Sequence, residues 1–208
     1  MVFGIRAVIE TIRAGKEIDK LLVQRDLGTA GNLAELLQAA HEHRVPVQRV
    51  PKERLDYITR KNHQGVLAFV SAVNYVQLHN VISDAYERGQ TPLILILDRV
   101  TDVRNFGAIA RTAECAGVQC IVIPGRGAAA IGSDAMKTSS GALNHISVCR
   151  EPDLTETVKY LQDCGITVVA CTEKSHRDLY ERSTDLTGPV AVIMGSEEDG
   201  ISPELLRM

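Results

Sequence analysis

The chain has 208 residues, 45% hydrophobic and 24% charged, with 16 Gly and 7 Pro, a composition that can bury a core and that excludes a disordered or collagen-like polymer. Its net charge of −3 argues against indiscriminate coating of nucleic acid through bulk positive charge. No apolar run approaches the roughly 18 residues of a membrane span, and the N-terminus carries acids and no signal-peptide core, so a cytoplasmic location and no membrane partner are expected.

The first stretch alternates helix and strand patterns. Val8, Ile9 and Ile12 share a helical face that Gly15 terminates. A strand at 18–24, a helix around Leu33, Leu36, Leu37 and Ala40, and a strand at 45–50 follow. Pro51 opens a short helix, and a last strand spans 65–73. Residues 1–73 hold 11 Lys/Arg against 8 Asp/Glu, whereas residues 74–208 hold 12 against 18, so a mildly basic unit precedes an acidic one. Residues 74–91 read as a partly helical linker ending at Gly89 and Pro92.

Beyond it, the runs at 93–98, 120–124, 166–171 and 190–195 are apolar without alternation and are spaced by helical stretches such as 153–164. That pattern indicates a parallel sheet covered on both faces, with ligands expected beyond the carboxyl ends of its strands. The five cysteines are odd in number and contain no C-x-x-C, so neither a disulfide framework nor a zinc site is suggested, and most of them are expected to be small buried apolar residues.

Three strand ends carry candidate chemistry. After Asp98, Asn105 is placed to cap a helix whose residues are small or apolar on nearly all sides; such a helix is expected to be buried, and Arg111 is its anomaly. Arg111 reads equally as a salt-bridge partner of an acid such as Asp98 or as a functional cation. After the strand at 190–195 comes Gly195-Ser196-Glu197-Glu198-Asp199-Gly200, either a ligand-binding turn or an exposed acidic one. The third, Cys171 to His176, gives a weak signal. Gly125-Arg126-Gly127 and Gly132 have the wrong spacing for a dinucleotide fingerprint, and no P-loop is present.

Together these segments resemble the SpoU (TrmH) family of RNA 2′-O-ribose methyltransferases, within the knotted SPOUT class. Asp102, Asn105, Gly107 and Arg111-Thr112-Ala113 match the family's first motif, Gly195, Glu197 and Gly200 its second, and Lys137 to Ala142 an element between them. Residues 1–73, with Gly4, Ala7-Val8 and His63-Gln64-Gly65-Val66, resemble the substrate-binding domain of the rRNA-modifying branch. The resemblance implies a small N-terminal α/β RNA-binding domain (1–73), then an α/β SPOUT domain with a parallel sheet (92–208) that is normally completed by a C-terminal trefoil knot. Val103 stands where the family has Pro. The sequence stops at Met208, before a third motif, so an incomplete knot and a pocket open on one side, without bound cofactor, are expected.

The implied reaction is transfer of a methyl group from S-adenosylmethionine to a ribose 2′-hydroxyl, with a guanosine of 23S ribosomal RNA as the expected target. Methylation of tRNA, rRNA methylation for antibiotic resistance, and a non-catalytic RNA-binding role are the alternatives. Asn105, Arg111 and Glu197 are the implied catalytic residues, and Thr172, Met194, Gly195, Gly200 and Ile201 would meet the cofactor. Arg44, Arg49, Lys52, Arg54, Arg60 and Lys61 face only Glu53 and Asp56 in their stretch of sequence, and are expected to contact ribosomal RNA. A homodimer is implied by the family alone, and no metal is expected.

Overall fold

The computed structural model describes residues 1–28, 31–175 and 186–208. They cluster into two compact units, Met1–Asn74 with Ala130–Ser133, and Tyr75–Ala129 with Asp134–Met208.

In the first unit, β1 (Val2–Phe3), α1 (Ile5–Arg13), β2 (Ile18–Gln24), α2 (Asn32–Glu42), β3 (Val47–Val50), α3 (Lys52–Ile58) and β4 (Val66–Val70) follow in order. The sheet order is β1-β4-β2-β3, with β2 antiparallel to β4 and parallel to β3. Val8, Ile9 and Ile12 of α1 and Leu33, Leu36 and Ala40 of α2 pack with Leu21 and Val23 of β2, as their periodicity predicts. On the other side, Leu55 of α3 packs with Leu22, Val50 and Leu67.

The His63-Gln64-Gly65 segment serves this packing. The buried His63 ring takes the Gly65 N–H on Nδ1 at 2.9 Å and meets Asp56 through Nε2 at 2.8 Å. That assigns the ring proton to Nε2. Gln64, in the left-handed region at φ 53, accepts the Ile5 N–H at the start of α1.

The second unit contains β5 (Tyr75–Val76), α4 (Leu78–Glu87), β6 (Leu93–Leu97), α5 (Val103–Cys115), β7 (Cys120–Pro124), α6 (Ser133–Thr138), β8 (Ser147–Glu151), α7 (Leu154–Asp163), β9 (Thr167–Cys171), β10 (Val190–Met194) and α8 (Pro203–Leu206). Their sheet runs β5-β8-β7-β6-β10-β9, and every pairing is parallel. From β6 the strands step through β7 to β8 on one side, while β10 and β9 lie on the other. This reversal puts the topological switch point between β6 and β10, where ligand crevices form.

Three expectations are corrected. Residues 74–91 are no linker. β5 pairs with β8, and α4 buries Leu78, Ile82 and Ala85 because their helical spacing gives the segment an apolar face to cover. Helix α5 is not buried all round. Phe106, Gly107, Ala110 and Ala113 face inward, while Arg111 and Thr112 are exposed, so Arg111 carries no burial cost that would demand an ion-pair partner. Of the cysteines, Cys120 and Cys149 are buried, Cys164 is half-buried, and Cys115 and Cys171 are exposed, because the last two sit at helix and strand ends. The Cys149 thiol is pushed up in pKa by its hydrogen bond to Cys120 and by burial, which keeps it protonated and inert.

The glycine of the first motif has a packing reason. A Cβ at Gly107 would overlap the Thr138 hydroxyl and press on the Ala135 carbonyl, so α5 and α6 approach through its bare backbone. Gly→Ala inside a helix ordinarily stabilises by about 1 kcal/mol, whereas overpacking costs about 1–3 kcal/mol. Backbone blocks the relief, and overpacking should win. Gly107→Ala is expected to lower the urea midpoint; a raised midpoint would show that α5 and α6 do not meet this closely.

Candidate functional site

The site grows from the ends of β6 and β10. These strands pair from Leu93↔Val190 to Leu97↔Met194, and the Asp98 N–H then donates to the Met194 carbonyl at 2.8 Å. Asp98 is 4% exposed, and its Oδ2 accepts the Ser202 N–H at 2.6 Å. A buried carboxylate persists only when its oxygens are satisfied, and this one ties the end of β6 to the start of α8. Its partner is therefore not Arg111.

Arg99 makes a second tie. Its backbone is left-handed at φ 59, an unfavourable state for a residue with a side chain, costing about 1–2 kcal/mol. In that conformation Nη2 donates to the Gly200 carbonyl at 3.1 Å, and Nη1 pairs with Asp199 at 3.5 Å. Nε lies buried, 3.6 Å from Asp98 Oδ1, without a hydrogen-bond partner.

The turn these ties hold is narrow. Ser196 and Gly200 exchange backbone hydrogen bonds at 3.1 and 3.0 Å, and the Asp199 N–H donates to Ser196 Oγ at 3.2 Å. A Cβ on Gly195 would overlap the Gly200 carbonyl group, and Gly200 sits at φ 68, so both glycines are required by shape. Glu197, Glu198 and Asp199 are exposed.

At the start of α5 the cap is Asp102, whose Oδ1 accepts the Asn105 N–H at 2.7 Å. This corrects the expectation that Asn105 caps the helix. Asn105 is the third helical residue, where its side chain projects outward, and the shorter reach to the free N–H belongs to Asp102. Freed from capping, Asn105 Nδ2 donates to Glu197 Oε2 at 3.2 Å. Arg99, Thr101, Asp102, Asn105 and Glu197 line one cleft of about 380 Å³.

Four of the residues expected to meet a cofactor lie together: Met194 ends β10, Gly195 and Gly200 bound the turn, and Ile201 is buried behind it. Thr172 follows β9, whose Cys171 pairs with Met194, and Glu173 Oε1 comes within 4.0 Å of the Cβ position of Gly200. His176 lies outside the described residues. Arg111 makes no hydrogen bond to Asn105 or Glu197, since six residues along α5 carry it about 240° around the helix from Asn105. The expected RNA-binding residues all belong to the first unit. Arg49 is engaged there, donating to the Gln24 and Leu27 carbonyls at 3.2 and 3.5 Å. Lys61 lies over the Phe3 ring at 5.7 Å, and Arg44, Lys52, Arg54 and Arg60 are exposed. Among the described residues, no group of three or more His, Cys, Asp or Glu side chains could hold a metal.

Sequence reasoning missed Arg99 and the pairing of Asp98 with Ser202. An Asp-Arg pair closing an otherwise apolar strand was the available signal, because charges there need partners. Arg99→Gly should relieve the left-handed strain and release the turn. Amide exchange at Gly200 is expected to speed up at least tenfold, with the sheet amides of β6 and β10 unaffected; unchanged exchange at Gly200 would show that the turn holds itself.

A model of the SpoU rRNA Methylase family matches residues 92–208, and one of the RNA 2′-O ribose methyltransferase substrate-binding domain matches residues 1–76. The chain is 34% identical over 200 residues to the putative TrmH family tRNA/rRNA methyltransferase YacO of Bacillus subtilis, covering 96% of this chain and 79% of that protein. It is 33% identical over 202 residues to a putative TrmH family tRNA/rRNA methyltransferase of Staphylococcus saprophyticus, covering 97% of this chain and 80% of that protein. Among solved structures, the AdoMet-bound rRNA methyltransferase of Sinorhizobium meliloti aligns with TM-score 0.56 at 24% identity, over 99% of this chain and 74% of that one. The SpoU methyltransferase AviRb of Streptomyces viridochromogenes, in complex with AdoMet, aligns with TM-score 0.55 at 20% identity, over 99% and 76%. At those identities the likeness to the solved structures is one of fold. With a family model spanning most of the second unit and relatives aligned along nearly the whole sequence, the chain belongs to the SpoU/TrmH family of RNA methyltransferases.

Proposed function

We propose that the protein transfers a methyl group from S-adenosylmethionine to a ribose 2′-hydroxyl, with a guanosine of 23S ribosomal RNA as the target. The observation that carries this reading is the 3.2 Å hydrogen bond from Asn105 to Glu197, which joins the two family motifs at the switch point. The solved AdoMet complexes with this fold support the choice of cofactor. The residues at the ends of β9 and β10 fit such a group by chemistry. Gly195 and Gly200 let the turn close without side chains of their own, Met194 presents a 41% exposed apolar surface beside them, and Thr172 and Glu173 flank the turn with a hydroxyl and a carboxylate. When bound, S-adenosylmethionine supplies an electrophilic methyl group.

The protein's own residues must bind the ribose, orient its hydroxyl and manage its proton. Because Asn105 Nδ2 is committed to Glu197, its Oδ1 is the atom left to accept from a ribose hydroxyl. Glu197 thus orients the amide without touching the reacting oxygen. The hydroxyl is too weakly acidic to ionise at neutral pH, so charge developing on its oxygen needs a stabiliser. The family motif assigns that role to Arg111, as a permanent cation rather than as a base, since a guanidinium keeps its proton; within one chain Arg111 lies outside the cleft lined by Asn105 and Glu197, so the assignment rests on the motif. In the same reading the protein acts as a homodimer, for which the exposed Ala108, Thr112 and Ala116 face of α5, beside Met194, offers an apolar surface.

Arg111→Ala is expected to cut methylation of ribosomal RNA transcripts roughly a hundredfold or more, with the melting curve unchanged because the side chain is exposed. Near-wild-type turnover would remove Arg111 from the chemistry, and preferential methylation of tRNA transcripts would overturn the choice of substrate.

The basic residues of the first unit divide into two behaviours. Arg54→Glu should weaken RNA binding and reduce the log–log salt slope by about one unit or more, since phosphate contacts release counterions. Arg49→Ala should instead cost about 1 kcal/mol of stability through its lost carbonyl contacts. Salt titrations of binding and urea unfolding of the two variants check both expectations; a stable Arg49→Ala chain with a flattened salt slope would assign Arg49 to the RNA.

A further inference from the structure

The most exposed large side chain among the described hydrophobic residues is Tyr57, at 92%. It is not exposed for want of order around it. Its helix, α3, is fixed before and after it: Leu55 is fully buried in the small cluster with Leu22, Val50 and Leu67, Asp56 meets the buried His63 ring at 2.8 Å, and Ile58 packs against the same cluster. Three consecutive residues therefore point one side chain into the core, one at a buried histidine and one straight into solvent.

The surroundings of that ring are cationic. Arg54 stands one helical turn before it, Arg60 and Lys61 follow the helix end, and Lys52 opens the helix; all four are exposed. Among the described residues, the side chains of Lys52, Arg54 and Arg60 make no hydrogen bond or ion pair, while Lys61 rests over Phe3. The nearest acids in sequence are Glu53 and Asp56, and Asp56 is already used by His63. A surface tyrosine whose purpose was only solubility would be better replaced by a charged group, and one meant for packing would be covered. An aromatic face among uncommitted cations has a recognisable complement: a base splayed out of a single strand stacks on the ring while the flanking phosphates meet the cations. Duplex RNA is a poor fit, because its bases are stacked on each other and offer no free face.

We propose that Tyr57 is a stacking platform for an unpaired nucleobase of the substrate RNA, with Arg54 and Arg60 binding the adjoining phosphates. This rests on reading the first unit as the RNA-binding unit, and narrows the substrate to RNA that presents an unpaired base besides the methylated nucleotide.

The chain contains no tryptophan, so Tyr57→Trp in this 208-residue chain introduces a single indole at the platform. Titration with a short unstructured oligoribonucleotide is expected to quench its fluorescence, while the same sequence annealed to its complement is not. Tyr57→Phe should bind the single strand as wild type does, and Tyr57→Ala roughly five- to a hundredfold more weakly. Circular dichroism melts of all three variants should match wild type, because the side chain packs against nothing. If the wild-type protein binds neither RNA, the RNA reading of this unit falls. If it binds but Tyr57→Ala binds equally well, or the indole is quenched alike by the duplex, stacking falls while that reading stands. Loss of binding in Tyr57→Phe equal to that in Tyr57→Ala would replace stacking by a hydrogen bond from the hydroxyl. Quenching that depends on protein concentration without RNA would assign the ring to a protein contact.

Discussion

The parallel pairing of β6 with β10 is the constraint on which the site depends. It aligns two strand ends about a hundred residues apart in sequence, and the buried Asp98 carboxylate then binds Ser202 across the gap. Once that carboxylate is committed, the chain between Gly195 and Ser202 has both ends fixed and must close as a tight turn. The turn's shape follows from Gly195 and Gly200, and its placement follows from Arg99. Glu197 meets Asn105 only because all of these hold together. No one of these bonds is strong by itself in net terms; their effect lies in over-determining one geometry.

Backbone strain is distributed accordingly. The described non-glycine residues with positive φ are Arg44, Gln64, Arg99 and Ser140. Gln64, Arg99 and Ser140 fall within or immediately beside segments that carry the family resemblance. Each is held by a specific structural feature. Gln64 is fixed by its bond to the first turn of α1, Arg99 by the Gly200 carbonyl, and Ser140 by the turn that follows α6, where the neighbouring Ser139 is fully buried. Strain of this kind persists only where the surroundings enforce it, and here the surroundings are the motifs themselves.

Charge shows how far tertiary use departs from sequence composition. The basic run between Arg44 and Lys61 looks uniform as a string of residues, yet Arg49 is spent on backbone carbonyls of the same unit while Arg54 and Arg60 remain uncommitted. The difference is positional. Arg49 lies on a strand whose neighbour ends in a turn that brings the Gln24 and Leu27 carbonyls within its reach, whereas Arg54 and Arg60 lie on or after a helix with an exposed outer face. In the same way His63 and Gln64, conspicuous in the sequence beside a basic run, make hydrogen bonds that organise the fold of their unit.

The amino-acid sequence by itself determined the alternation of helix and strand, the bounds of β2 and β7, the apolar faces of α1 and α2, and the parallel character of the second sheet. All of these depend on local periodicity and on apolar runs, which neighbouring residues express directly. It also placed Asn105, Glu197, Gly195 and Gly200 at strand ends, because those segments interrupt apolar strands with residues that cannot continue them. Tertiary structure alone decided the rest: that 75–91 joins the second core, that Asp102 rather than Asn105 caps α5, that Arg111 faces solvent, and that Asp98 and Arg99 reach Ser202 and Gly200. Each of these turns on which of several chemically suitable partners lies within hydrogen-bonding reach or which face lies against a neighbour. Distances between residues a hundred positions apart are set by strand order, and strand order has no local signature.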